Sequence, residues 1–137
     1  MDATSTAGAV NGRGAVGLLR VAAALACLDA LAQGLLAGLL LNGDVSSIDP
    51  HGFNAYVFEF LVLLHTGAAV MLWRRNRGLT WPLIASAGIL VTTLAQVFLG
   101  LHSSLAAHVT LGVALGAMEA VLTFRAFTLT AENVQDA

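Results

Sequence analysis

Residues 49–78 read DPHGFNAYVFEFLVLLHTGAAVMLWRRNRG, and this stretch decides the fold. It opens on a polar turn, Asp49-Pro50-His51-Gly52, continues as the apolar run Phe53–Trp73, and closes on a basic turn, Arg74-Arg75-Asn76-Arg77-Gly78. About 20 helical residues cross a hydrocarbon core of ~30 Å, and arginines beside a tryptophan mark where such a helix leaves it. The spacing predicts a membrane-spanning helix 2 over 51–73, with Asp49 as N-cap and Pro50 at the first helical position.

The reading extends to both sides. Upstream, 16–41 is apolar except for Arg20, Asp29 and Gln33, which predicts helix 1. It is longer than the apolar core of a secretory signal, so a retained span is expected. Downstream, Trp81-Pro82 opens helix 3 over 81–101, and the turn His102-Ser103-Ser104 leads into helix 4 over 105–127. Residues 1–15 lack apolar periodicity and are expected to be a disordered tail; 128–137 form a polar tail. With 58% apolar and 10% charged residues and a mean hydropathy of +0.83, the chain has too little polar surface to cover a soluble domain. The expected fold class is all-α, a transmembrane four-helix bundle in a lipid bilayer.

All six basic residues, Arg13, Arg20, Arg74, Arg75, Arg77 and Arg125, fall on the N-terminal tail, the helix 2–3 turn, or the ends of helices 1 and 4 on that side. Positive charge stays cytoplasmic, so both termini are expected inside a multi-pass cell-membrane protein, with His51, His102 and His108 outside. The chain also repeats a pattern. Leu31-Ala32-Gln33 in helix 1 matches Leu94-Ala95-Gln96 in helix 3. Each is followed by an outer turn, a histidine at the next helix start, and a small residue four positions on, Ala55 after His51 and Gly112 after His108. Two tandem helical hairpins related by an axis along the membrane normal are implied, with the two histidines facing each other across the bundle.

Two imidazoles from facing helices suit the axial positions of a six-coordinate haem iron, and Ala55 and Gly112 leave room for a flat macrocycle. One b-type haem on His51 and His108 is the expectation, in an electron-carrying or haem-holding role. A histidine at a helix start is equally an interfacial polar group, and that reading stays open.

The order of helix with Gln and Gly, outer loop, His51, basic turn, Leu-Ala-Gln-Val-Phe-Leu-Gly-Leu at 94–101 and Ala-Ala-His-Val-Thr-Leu-Gly at 106–112 resembles one four-helix half of the haem A synthases. The resemblance covers about 18–126. It implies a haem held by a histidine on the second helix and one on the fourth, here His51 and His108. The chain departs from the catalytic half of that family: Ile48 stands where a glutamate is expected, no arginine follows His51, and the outer loop has no cysteine pair. A non-catalytic, haem-holding half is the closer analogy. Asp49-Pro50-His51 also resembles a family of small bacterial four-helix membrane proteins.

Ionisable groups inside a membrane are costly and mark function or pairing. Asp29, Glu59, His65 and Glu119, with Gln33 and Gln96, form a candidate intramembrane polar cluster. Helical periodicity puts Glu119 near the face of His108 and His65 near that of His51, so His65 can reach Glu119 or Asp29. Such a column could carry protons or an ion through a small channel or transporter, or serve as interhelical glue. Gly34-x-x-x-Gly38 and Gly112-x-x-x-Gly116 allow close helix approach, which makes a homodimer, or a cofactor-free accessory subunit of a larger membrane complex, a further reading. His102 is placed in the turn as a surface residue. Cys27 is single, so no intrachain disulfide forms. No phosphate-binding loop, nucleophile triad, zinc spacing or basic-aromatic patch for nucleic acid is present, so enzyme chemistry has no support in the motifs.

Overall fold

The computed structural model describes residues 3–102 and 104–130, with side chains from Gly14 onward. Among these residues the chain is all α-helical with no strand: α1 (Ala3–Leu41), α2 (Ile48–Arg75), α3 (Trp81–Leu101) and α4 (Leu105–Thr128), with a 3-10 turn, Val45–Ser47, ahead of α2. All four helices are long and apolar enough to cross a membrane. The shortest, α3, has 21 residues, or about 32 Å at 1.5 Å per residue.

Helix α1 starts at Ala3, within the segment expected to be a disordered tail. No proline stops a helix there. Helix α2 begins one turn ahead of the expected start. Asp49 and Pro50 lie inside its first turn, and Ser47 is the N-cap without a side-chain bond. Capping moves upstream: Asp44 accepts from the Ser46 amide at 3.1 Å and from the Ser46 hydroxyl, and Ser47 Oγ donates to it at 3.2 Å. Pro50 is tolerated because the first four amides of a helix have no intrahelical acceptor. Gly43, at φ +93, supplies the left-handed residue that turns the chain out of α1. The C-terminal residues 131–137 lie outside the described residues.

α1 packs on α2 and α4, and α3 packs on α2 and α4, so the four helices form a ring in which α2 and α4 stand diagonally opposed. The interior mixes alanines and polar side chains with larger apolar ones. Ala15, Leu19, Ala22, Ala23 and Ala26 recur at helical spacing on the buried face of α1, and His65, Ser86, Thr93 and Glu119 are buried beside Val62, Ile89, Leu115 and Leu122. Many large apolar residues nonetheless point outward, with Leu35, Phe60, Ile84 and Phe124 all exposed. A soluble bundle would invert this pattern. In lipid, where helices gain nothing by hiding leucine from water, small residues and hydrogen bonds hold the interior together. Gly34, Gly38 and Gly116 face open space within the chain.

One end of the bundle carries the arginines. Arg20 of α1 donates from Nε to the Ala126 carbonyl at 3.0 Å and from a terminal nitrogen to the Leu129 carbonyl, covering carbonyls that the end of α4 leaves free. Arg77 stacks over Trp73 with its guanidinium carbon 3.9 Å from the ring centroid, and Arg125 over Trp81 at 4.4 Å. His51, His102 and His108 lie at the other end.

Candidate functional site

His51 is the fourth residue of α2 and His108 the fourth of α4, so diagonal helices present them at matching positions. Their ring centroids are 6.1 Å apart with planes inclined at 69°. Both are half-buried. His108 Nδ1 lies 3.0 Å from the Gln96 carbonyl oxygen. A carbonyl only accepts, so Nδ1 carries a proton, and in the neutral ring Nε2 keeps its lone pair. This is the bond that orients a metal-ligating imidazole. His51 Nδ1 is buried with no hydrogen-bond partner.

The surroundings hold these rings closely. A methyl group on Gly100 would lie 3.0 Å from His108 Cε1, so only glycine lets α3 approach the ring this closely. On Gly112, one would lie 2.9 Å from Gln96 Nε2. The space beside Gly112, expected to admit a macrocycle, holds the Gln96 amide. Gln96 Oε1 is itself buried without a partner, so nothing fixes that amide where it lies. Ala55 is half-buried one turn along from His51.

Gln33 of α1 performs a related task, donating from Nε2 to the His51 carbonyl at 3.0 Å. Asn54 ties it down, with Nδ2 at 3.0 Å from Gln33 Oε1 and 3.1 Å from Asp29 Oδ2. Asn54 was not singled out from the sequence. The signal was a single amide three residues after His51 inside an apolar run. Both Leu-Ala-Gln glutamines thus engage the histidine of the following helix, Gln33 through its side chain and Gln96 through its backbone.

A second cross-bundle contact lies deeper. His65 Nε2 is 3.1 Å from Glu119 Oε1, and its Nδ1 is 3.1 Å from Ser86 Oγ. All three residues are completely buried. Glu119 Oε2 has no partner, and neither has Thr123 Oγ1 one turn on. Ser86 is the member that periodicity did not single out. Fourteen residues separate His65 from His51 and eleven separate Glu119 from His108, about 21 and 17 Å of helix. Buried Phe58, Val62 and Leu115 fill the interval.

The polar residues therefore fall into separate groups. Asp29 is engaged by Asn54, about one turn from His51, and His65 pairs with Glu119. Glu59 is half-buried and makes no hydrogen bond or ion pair among the described residues. His102 is exposed in its turn, stacked on Phe98 at 4.0 Å with Nδ1 2.8 Å from the Phe98 carbonyl.

No protein-family model, curated protein or solved structure matches the chain. Its chemistry is therefore argued from the site alone. Among the described residues, no group of three or more His, Cys, Asp or Glu converges as a metal cage. What the bundle offers is two imidazoles on opposite walls, one with a free Nε2 fixed by its neighbour's hydrogen bond and the other with an unpartnered nitrogen.

Proposed function

We propose that this integral membrane protein holds one b-type haem between His51 and His108 and serves as an electron carrier or haem-holding protein. The observation that carries the reading is the 6.1 Å separation of the two ring centroids. A metal ion bound to one nitrogen of each ring at about 2.0–2.1 Å separates the centroids by about 6 Å, so the observed spacing matches that of two rings sharing one. The donor set also fits. Two imidazoles are what the protein must supply when the other four ligands belong to a macrocycle. Bound there, haem would supply reversible one-electron exchange at the iron.

The chain's own residues have separable roles in this account. The Gln96 carbonyl holds His108 in the Nδ1-protonated form, raising the donor strength of Nε2. Gln33 and Asn54 fix the backbone at His51. The Gln96 side chain vacates the space beside Gly112, a rotation that breaks no hydrogen bond of its Oε1. Phe58, Val62 and Leu115 separate this region from the His65–Glu119 pair, which favours the haem reading over a continuous polar path for a proton or ion. In the same reading, the two hairpins form a parallel repeat, both termini are cytoplasmic, and the histidines lie toward the outer face of the cell membrane.

The test is a haemin titration of the purified, detergent-solubilised protein alongside His51→Ala and His108→Ala. Saturation at one haem per chain with a low-spin absorption spectrum supports the proposal, and each variant should lose the low-spin form. A wild-type protein that takes up haem no better than either variant refutes it, and the accessory-subunit reading then takes its place.

A further inference from the structure

At the arginine end, α3 and α4 part to leave an open groove of about 460 Å³ on the outside of the bundle. Ile84 and Ala85 form one wall and Ala117 and Val121 the other, with Trp81 and Arg125 at the end. Ile84 and Val121 are exposed apolar residues, so the trough faces the hydrocarbon region. Its end faces the headgroups. Arg125, the one arginine lining the groove, is exposed and held over the Trp81 ring, and the end of α2 and the turn after it carry exposed Arg74, Arg75 and Arg77 at the same end of the bundle.

Nothing among the described residues compensates this charge. Asp29, Asp44, Asp49 and Glu59 lie away from that end, and Glu119 is buried against His65. A second copy of the chain seated in the groove would bring the same arginines against these. An acyl chain with an anionic headgroup matches both the trough and its end. Basic pockets between membrane helices take such headgroups, each arginine being worth about a fivefold gain in affinity.

We infer that this groove binds one anionic phospholipid, an acyl chain lying between Ala85 and Ala117 and the phosphate at Arg125. The site is independent of the histidine pair. Native mass spectrometry of the full chain, released from micelles containing phosphatidylglycerol or phosphatidylcholine of identical chains, tests it. Wild-type protein should retain one phosphatidylglycerol, with a preference over phosphatidylcholine of at least about fivefold. Arg125→Gln should reduce that preference about fivefold while Arg125→Lys keeps most of it. Ala117→Phe, which fills the trough and leaves the charge, should reduce retention of both lipids. Both sites are exposed, and circular dichroism checks that each variant folds. Equal retention of the two lipids by wild type, an unchanged preference in Arg125→Gln, unchanged retention in Ala117→Phe, or a dimer whose mass is indifferent to lipid would each overturn the inference.

Discussion

Replacing His65 by leucine removes the group that joins three helices at the bundle centre. The imidazole fills its site completely and bonds Ser86 Oγ and Glu119 Oε1, each at 3.1 Å. Leucine restores much of the volume but orphans both oxygens, and Glu119 Oε2 is already without a partner. An orphaned buried polar group costs about 1–3 kcal/mol in water-soluble interiors. Interhelical hydrogen bonds in membranes average about 0.6 kcal/mol with a maximum near 1.7, because the unfolded chain in lipid also finds partners. Two lost bonds then amount to about 1–3 kcal/mol. Glu119→Leu orphans only His65 Nε2 and abolishes the unpartnered Oε2, so its cost is smaller, about 1 kcal/mol. In the double variant only Ser86 is orphaned, and the loss falls short of the sum of the two singles by about 1 kcal/mol or more. Reversible unfolding in mixed micelles, run as a double-mutant cycle, measures all three. Additivity within about 0.5 kcal/mol, or a Glu119→Leu variant less stable than His65→Leu, would refute the reasoning.

The two glycines beside the histidine site should respond differently to alanine. Gly100→Ala pushes a methyl to 3.0 Å from His108 Cε1, a ring held at Nδ1, and should destabilise the fold by about 1–2 kcal/mol and weaken haemin uptake. Gly112→Ala meets only the free amide end of Gln96 and should stay within about 0.5 kcal/mol of wild type in unfolding measurements. Asp44 gives a pH dependence confined to the α1–α2 connection. The Ser46 hydroxyl, with smaller help from the Ser46 amide and Ser47, holds its carboxyl below the ordinary carboxylate value. A carboxylate lowered in the folded state contributes fully above its unfolded value and loses that contribution as pH falls through the folded one. Amide exchange in the Val45–Ser47 turn should accordingly quicken below about pH 4, and Asp44→Asn should remove that dependence.

The four spans were legible because each apolar run ends in an unmistakable way. Trp73 gives way to three arginines, Trp81-Pro82 restarts a helix, and Asn42-Gly43 and His102-Ser103-Ser104 break the remaining runs. The start of α2 was harder to read. Asp49 before Pro50 has the chemistry of a cap, but so does Asp44 five residues earlier, and the three-dimensional path of the turn decides between them. The N-terminal residues from Ala3 were misleading in the other direction, since absence of apolar periodicity does not prevent a helix from continuing. Within the site, His51, His108, His65 and Glu119 were conspicuous as ionisable groups in apolar surroundings. Asn54, Ser86 and Thr123 were not, because a small polar residue on a membrane helix gives no sign of its partner until helix rotations are known. The same limit applies to Asp29. Periodicity allowed it to meet His65, but the packing of α1 on α2 sets it against Asn54 instead.

In the proposed site, His51 and His108 would together hold one haem iron. Electron paramagnetic resonance of the oxidised, haem-loaded protein addresses this most directly, because two imidazole ligands leave ferric iron low-spin with no open position. The account predicts a low-spin signal of one iron per chain that converts to high-spin in either His51→Ala or His108→Ala. A high-spin signal in the wild-type protein, or a low-spin signal that survives both substitutions, would contradict it.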